Sequence, residues 1–459
     1  MHRKFISVSV IVFCTTYFSY AQTIEVNPNP RALQIIQGND ILSNTAITSI
    51  SDSLGATPAS YDLRNVGGEN YMTGVKDQGQ CGSCWAFATY GAMESELLLS
   101  GGPYSDFSEN NLKNRHGFDA GPCDGGGVFM SIAYLSRLAG PGAESADPYH
   151  PYDDRATAPT TIPRQRFLCD SSFYDTPGEI KNALMTKGAL CTGMLWNDSA
   201  YRSSDATYYY SGTSGTSHMV TITGWDNNKV TAGGTGAWLI KNSWGGGWGQ
   251  SGYFWLSYQD AQGGKYGASF ETKAADAVNK VYFHDYFGEV ASVNCNWACN
   301  VFHTNQPDEL KSIGFYTQVD SVNYQIQIYD SMTDGKPTGL LASTSGTIDN
   351  WGFHVVDLKS LVSLGNNDDF VVLLELLNGG DFPQAIDFEY SGYSSGSTAS
   401  PGESYYSFDG VDWTDIYTWD TTANFSIKAY TIDVPEPAAL VLLGMAGLAF
   451  VLFGIRRRS

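Results

Sequence analysis

The fifteen residues from Trp85, WAFATYGAMESELLL, carry apolar side chains at Phe87, Tyr90, Met93, Leu97 and Leu98. That spacing predicts a helix with one buried face, and it puts Cys84 on the first turn. Two later segments, SHMVTITGWD (217–226) and GAWLIKNSW (236–244), read as apolar strands. Beyond residue 280 the texture changes. NYQIQIYD (323–330) alternates, with Tyr324, Ile326 and Ile328 on one face, and NNDDFVVLLELL (366–377) reads as a buried strand after a turn. DSMTDGKPTG (330–339) has Asp, Gly and Pro where sharp reversals need them. Short strands separated by turns predict an all-β sandwich for this second half.

The two ends are apolar in a different way. Arg3 and Lys4, an apolar run and Ser19-Tyr20-Ala21 form a secretory signal cut after Ala21. At the other end VPEP (434–437) precedes an apolar run from Ala438 to Ile455, followed by Arg456, Arg457 and Arg458. About eighteen apolar residues can just span a bilayer, with the arginines on the cytoplasmic side. One reading is a C-terminal transmembrane anchor. The other is that Val-Pro-Glu-Pro, apolar helix and Arg cluster together resemble the PEP-CTERM sorting tail of Gram-negative bacteria. That resemblance implies processing by an exosortase-type enzyme and delivery to the cell envelope, the surface or the extracellular matrix, with transient membrane anchoring.

Net charge is −21, and the stretch from Lys280 to Ile432 holds 20 acidic against 5 basic residues. Nucleic acid is excluded as a partner, because phosphate backbones need clustered Lys and Arg. Acidic loops can bind Ca²⁺ through carboxylate oxygens, or they are simply a solvated surface; no other cofactor or metal is indicated. Tyr405, Tyr406, Trp413 and Trp419 are candidates for stacking on a carbohydrate ligand, or they are core.

The chemistry concentrates in GQCGSCWAF (79–87), where Cys84 follows Gln78 by six positions. Many cysteines are buried and inert. A thiol beside an imidazolium or at a helix N-terminus is instead a strong nucleophile. His218 comes 134 residues after Cys84, at the start of one strand, and Asn242 ends the next. FSENNL (107–112), PCDGG (122–126) and KNSWGGGWGQSGYF (241–254) complete the set.

On these motifs residues 56–270 resemble a papain-family cysteine peptidase. The resemblance implies Cys84 as nucleophile and His218 as its imidazolium partner, which later protonates the leaving amine. It implies Asn242 as the group orienting His218, shielded by Trp244. Gln78 would donate to the oxyanion alongside the Cys84 N–H. Gly125 and Gly126 would form a wall that a substrate backbone approaches closely, the alternative being a plain turn. A Cys81–Cys123 disulfide is also implied. The chain has eight cysteines. Apart from Cys14 and Cys84, the six others suit three bridges in an exported protein; adjacency suggests Cys169–Cys191 and Cys295–Cys299.

Two features depart from the family. The interval of 24 residues between His218 and Asn242 predicts a hairpin insertion around Asp226–Thr235, and residues 22–55 make only a short pro-region. Nothing resembles an occluding loop, so endopeptidase is the default. The second half resembles the lectin-like β-domain that follows such peptidases in some secreted proteins.

The expected fold is α+β, a two-lobed papain-like domain (56–273), a linker (274–279), a lectin-like β-sandwich (280–432) and the sorting segment (434–459). The expected activity is peptide-bond hydrolysis of protein or peptide substrates. The alternatives are transpeptidation on the same acyl-enzyme, or a surface adhesion or matrix protein on a peptidase-like scaffold.

Overall fold

The computed structural model describes residues 22–27 and 57–434. The signal peptide with Cys14, most of the expected pro-region (28–55) and the C-terminal apolar run (438–455) lie outside the described residues. Among the described residues no helix is long and apolar enough to cross a membrane.

The first half has two lobes. One holds helices α1 (Cys84–Leu99), α2 (Glu109–Arg115) and α3 (Val128–Ser136). After strand β1 (Arg166–Tyr174) and helix α4 (Pro177–Thr186), the other lobe is an antiparallel sheet. Its strands are β2 (Leu190–Met194), β3 (His218–Thr231), β4 (Gly234–Lys241) and β5 (Tyr253–Ser257), paired in that order. The β3–β4 hairpin runs on past a register shift at Asp226–Val230 to Thr231 opposite Gly234, which accounts for the long interval between His218 and Asn242.

Helix α1 departs from the expected single buried face. Every residue from Cys84 to Ser95 is buried, and so is Leu97. The cause is its place between the lobes: Thr89 Oγ1 meets Ser131 Oγ of α3 at 2.7 Å, and Thr221 Oγ1 of β3 donates to Ala88 O at 3.4 Å. Small residues at Ala86, Ala88, Gly91 and Ala92 let both neighbours approach.

The second half is built from β6 (Trp297–His303), β7 (Asp308–Thr317), β8 (Val322–Thr333), β9 (Lys336–Ile348), β10 (Gly352–Leu364), β11 (Asp369–Leu377) and β12 (Lys428–Asp433). Ile326 and Ile328 of β8 and Val372 and Leu374 of β11 point into the sandwich core, against Ile313 and Phe315 of β7. The expected turn at 330–339 is mostly strand. Asp334 and Gly335 both have positive φ and reverse the chain alone, as a two-residue hairpin turn requires.

One sheet crosses from half to half. Strands β12, β7 and β10 lie side by side, and β10 pairs with β1 through Gly352–Ser172, Phe353–Ser171 and His354–Asp170. His354 Nδ1 lies 2.7 Å from Asp170 Oδ2, and Trp351 stacks on Phe173 at 4.0 Å. Phe173 and Tyr266 share a core with Tyr316, Phe353, Tyr393 and Tyr430. The stretch expected as linker carries the end of a strand and a single 3-10 turn (Ala275–Ala277), and buried Val278 follows. Arg164 donates to Ala275 O and Val278 O, both at 2.7 Å. The described N-terminal residues also belong to the second half: Val26 bridges Val293, and Ile24 and Val26 pack on the sandwich core.

Two expected disulfides are overturned: Cys169, Cys191, Cys295 and Cys299 are all free. Cys169 on β1 and Cys191 on β2 are separated by the strand Gly267–Ala268. Two strand spacings come to roughly 9–10 Å, beyond the reach of a disulfide. Cys295 faces the sandwich core, whereas Cys299 packs with Val371 and Leu373 on the opposite face of the sheet.

Candidate active site

Cys84 is the first residue of α1, where the aligned peptide dipoles favour a negative charge. The side chain is 8% exposed, and its Sγ accepts the Met219 N–H at 3.4 Å. Burial pushes the thiol pKa up, while the N–H groups of Met219, Trp85 and Cys84 itself pull it down.

His218 opens β3, one residue before the amide that meets the sulfur. Its Nε2 lies 2.8 Å from Asn242 Oδ1, and its ring stacks on Trp244 with centroids 4.8 Å apart. Burial pulls the imidazole down to about 4, opposed by the hydrogen bond that the ring makes to Asn242 Oδ1. Burial therefore opposes each charge taken singly. Moving one proton from thiol to imidazole creates both charges as neighbours, and their attraction offsets that cost.

Gln78 is clamped by its surroundings. Its Nε2 donates to Cys81 O at 2.8 Å, and its Oε1 accepts from Ser243 Oγ at 2.6 Å. Its backbone N–H donates to Ser243 O, and its carbonyl accepts from Tyr149 OH, both at 2.8 Å. A primary amide has two N–H groups; one is committed to Cys81 and the second is available to a ligand. Ser243 and Tyr149 were not singled out from the sequence. Ser243 was findable as the neighbour of Asn242, whereas Tyr149 has no local signature.

The Cys81–Cys123 disulfide is present, and Gly82 N–H donates to Cys123 O at 3.1 Å. These bonds fix the stretch ahead of Cys84 against the loop carrying Gly125 and Gly126. Gly125 has φ +101°, with nothing near the place of a Cβ. At Gly126 a Cβ would fall 2.5 Å from Trp85 Cε2, so the indole beneath excludes any larger residue there. Trp196, also missed from sequence, stands edge-on to Trp244 at 4.6 Å and to His218 at 6.5 Å.

The four aromatic residues considered for sugar binding are not brought together. Tyr405 and Trp413 flank the Cys299 cluster, Tyr406 packs on the sandwich core from the other face, and Trp419 is 36% exposed. Among the described residues no three His, Cys, Asp or Glu side chains converge as a metal site would need.

Comparison with known proteins matches these regions separately. Residues 57–273 match the papain family cysteine protease model, 281–431 the lectin like domain and 433–458 the PEP-CTERM protein-sorting motif. Mouse procathepsin L is 32% identical over 205 residues, covering 43% of this chain and 59% of the relative. Chicken cathepsin K is 32% identical over 216 residues, covering 45% and 61%. The chain thus spans less than two thirds of these relatives' length. The protease and lectin-like domains of Cwp84, a surface layer associated protein of Clostridium difficile, superpose with a TM-score of 0.74 at 24% identity, covering 90% of this chain and 98% of that one. The clostridial protease after propeptide cleavage gives 0.72 at 26% identity, covering 82% and 99%. The sorting motif suggests an exported, surface-targeted protein. The chain therefore carries a papain-family cysteine peptidase domain (57–273), a lectin-like domain (281–431) and a PEP-CTERM sorting motif (433–458).

Proposed function

We propose that the protein is an exported endopeptidase that cuts peptide bonds through an acyl-enzyme on Cys84. The Cys84 proton passes to His218 Nδ1, and Sγ attacks the peptide carbonyl carbon. The carbonyl oxygen takes up the electron pair and is held by the free Gln78 N–H and the Cys84 N–H. His218 then gives its proton to the departing amine nitrogen as the C–N bond breaks. Water, losing a proton to His218, attacks the thioester and releases the acid and the thiol.

The observation that carries this reading is the arrangement at His218. Asn242 Oδ1 engages Nε2 at 2.8 Å, and the next residue's N–H holds the Cys84 sulfur at 3.4 Å. We further propose that an exosortase-type enzyme acts on the C-terminal tail, and that the lectin-like half holds the peptidase near surface carbohydrate. The test of the activity is hydrolysis of a mixed fluorogenic peptide library by the signal-free protein and its Cys84→Ala variant. Cleavage by the first alone is expected. Equal cleavage by both, or none by the folded native protein under reducing conditions, overturns the reading.

A further inference from the structure

Gly125 and Gly126 end a segment that begins at His116, and the lectin-like half grips its start. Asp119 N–H donates to Tyr393 O at 3.0 Å. Ser395 donates to the Asp119 carboxylate from its hydroxyl at 2.6 Å and from its N–H at 3.2 Å. Phe118 is buried between Phe287 and Tyr393, with ring centroids 4.9 and 4.7 Å away. Arg137, just after α3, donates to His116 O within its own half and to Tyr286 O across the boundary.

The contacts continue inward to the nucleophile's neighbour. His116 Nδ1 accepts the Phe118 N–H at 3.0 Å, and its ring meets Trp85 edge-on at 5.6 Å. Trp85 follows Cys84 in α1 and lies directly under Gly126. The far end of the segment is tied by the Cys81–Cys123 bond. The wall itself stands between that tie and buried α3, which opens at Val128, so the lectin-like half reaches it through His116 and the Trp85 ring beneath Gly126.

We propose that the lectin-like domain is a positioning part of the peptidase groove. Through Phe118, Asp119 and His116 it sets where the Gly125–Gly126 wall stands relative to Cys84. This rests on the peptidase reading given above. An extended peptide lying along a backbone wall binds through main-chain hydrogen bonds, which weaken steeply with small misplacements. Binding of a long substrate then depends on a domain that does not touch the nucleophile, whereas reaction of the thiol with a small reagent does not.

The test compares Asp119→Ala, Phe118→Ala, Ser395→Ala and Ser395→Thr in the two-domain protein. Two quantities are read: KM and kcat on a peptide extending several residues before the cut bond, and the rate of Cys84 alkylation by iodoacetamide. Asp119 is exposed, so its truncation leaves the core packed. Losing one such hydrogen bond is expected to raise KM about 3- to 10-fold, with kcat and alkylation within about two-fold; Ser395→Thr restores the native KM. Unchanged KM in Asp119→Ala and Phe118→Ala overturns the proposal, as does a parallel fall of cleavage and alkylation. Absence of cleavage by the unaltered protein, with alkylation no faster than that of an ordinary thiol, overturns the peptidase reading instead.

Discussion

Asn242 Oδ1 accepts from His218 Nε2 at 2.8 Å and from the Ser243 N–H at 2.9 Å, so the main chain fixes the oxygen that orients the imidazole. An amide oxygen only accepts, which places a proton on Nε2 and leaves Nδ1 free to take the thiol proton. Asn242→Ala removes that orientation. A hydrogen bond to a group that becomes charged contributes about 1.5–3 kcal/mol, so turnover is expected to fall roughly 10- to 150-fold. Labelling of Cys84 by an epoxide probe is expected to persist, more slowly. Full loss of labelling in a folded variant contradicts this role.

Gln78 offers a sharper test, because four hydrogen bonds hold it before any substrate arrives. Pre-placed donors act most strongly where charge develops, and loss of one typically costs about 10²–10³ in turnover. Gln78→Ala is expected in that range with little change in KM. Ser243→Ala leaves the donor in place but unclamped and is expected to cost less. Steady-state kinetics on one peptide separates the two; an unchanged rate in Gln78→Ala moves the oxyanion site elsewhere.

The cysteine pattern predicts a thiol count. Cys84, Cys169, Cys191, Cys295 and Cys299 are free, and residues 28–56 contain no cysteine. The signal-free protein, denatured without reductant, is expected to titrate five thiols; a single thiol restores the three-bridge scheme. Cys81 and Cys123 are 42 residues apart, and replacing both with Ser is expected to cost about 2–4 kcal/mol in urea unfolding.

Much of the candidate site was legible in the sequence because the proposed chemistry restricts residue types. A nucleophilic thiol, an imidazole, an amide to orient it and an amide donor leave few alternatives at Cys84, His218, Asn242 and Gln78. Supporting groups were hidden because their partners are set by tertiary approach: Tyr149 reaches Gln78 O across 71 residues. The spacing of Cys295 and Cys299 misled, since sequence nearness does not say which face of a sheet a side chain takes. The helical pattern after Cys84 located α1 but under-read its burial, because alanines and a glycine make a helix packable on all sides without standing out as apolar. The junction at Phe353–Ser171 had no local signal, as pairing between distant strands leaves no mark in either one.

Two buried histidines give the fold a predictable weakness in acid. Burial, with Arg137 and Arg155 nearby, pulls His116 down to about 3, and burial pulls His218 down to about 4. In the unfolded chain both return to about 6.5. Between pH 6.5 and 4 these two sites therefore bind more protons in the unfolded state, and their contribution to stability falls as pH falls; Glu96, Glu109 and Asp387, which burial raises to about 7, 8 and 7, work in the opposite direction. The two histidines are expected to contribute a drop in melting temperature between pH 7 and pH 4.5. His116→Gln, which keeps an acceptor for the Phe118 N–H, is expected to make that drop shallower. An equal drop in the variant removes His116 from the cause.

The shared sheet predicts that the two halves unfold together. Phe173 of the peptidase half stacks between Trp351 at 4.0 Å and Phe129 at 5.5 Å, and β1 takes its outer partner from β10. Ending the chain before Lys280 strips that edge and uncovers Phe173, Tyr266 and Phe270 of a common core. An unpaired strand edge beside exposed aromatic surface favours aggregation over folding. The peptidase half alone is expected to be insoluble, and the two-domain protein to melt in one calorimetric transition. Trp351→Ala, a large-to-small change in this core, is expected to cost about 3–5 kcal/mol and to lower that single transition as a whole. Two separated transitions in the native protein, with only one shifted by Trp351→Ala, would show that the halves fold independently despite the continuous sheet.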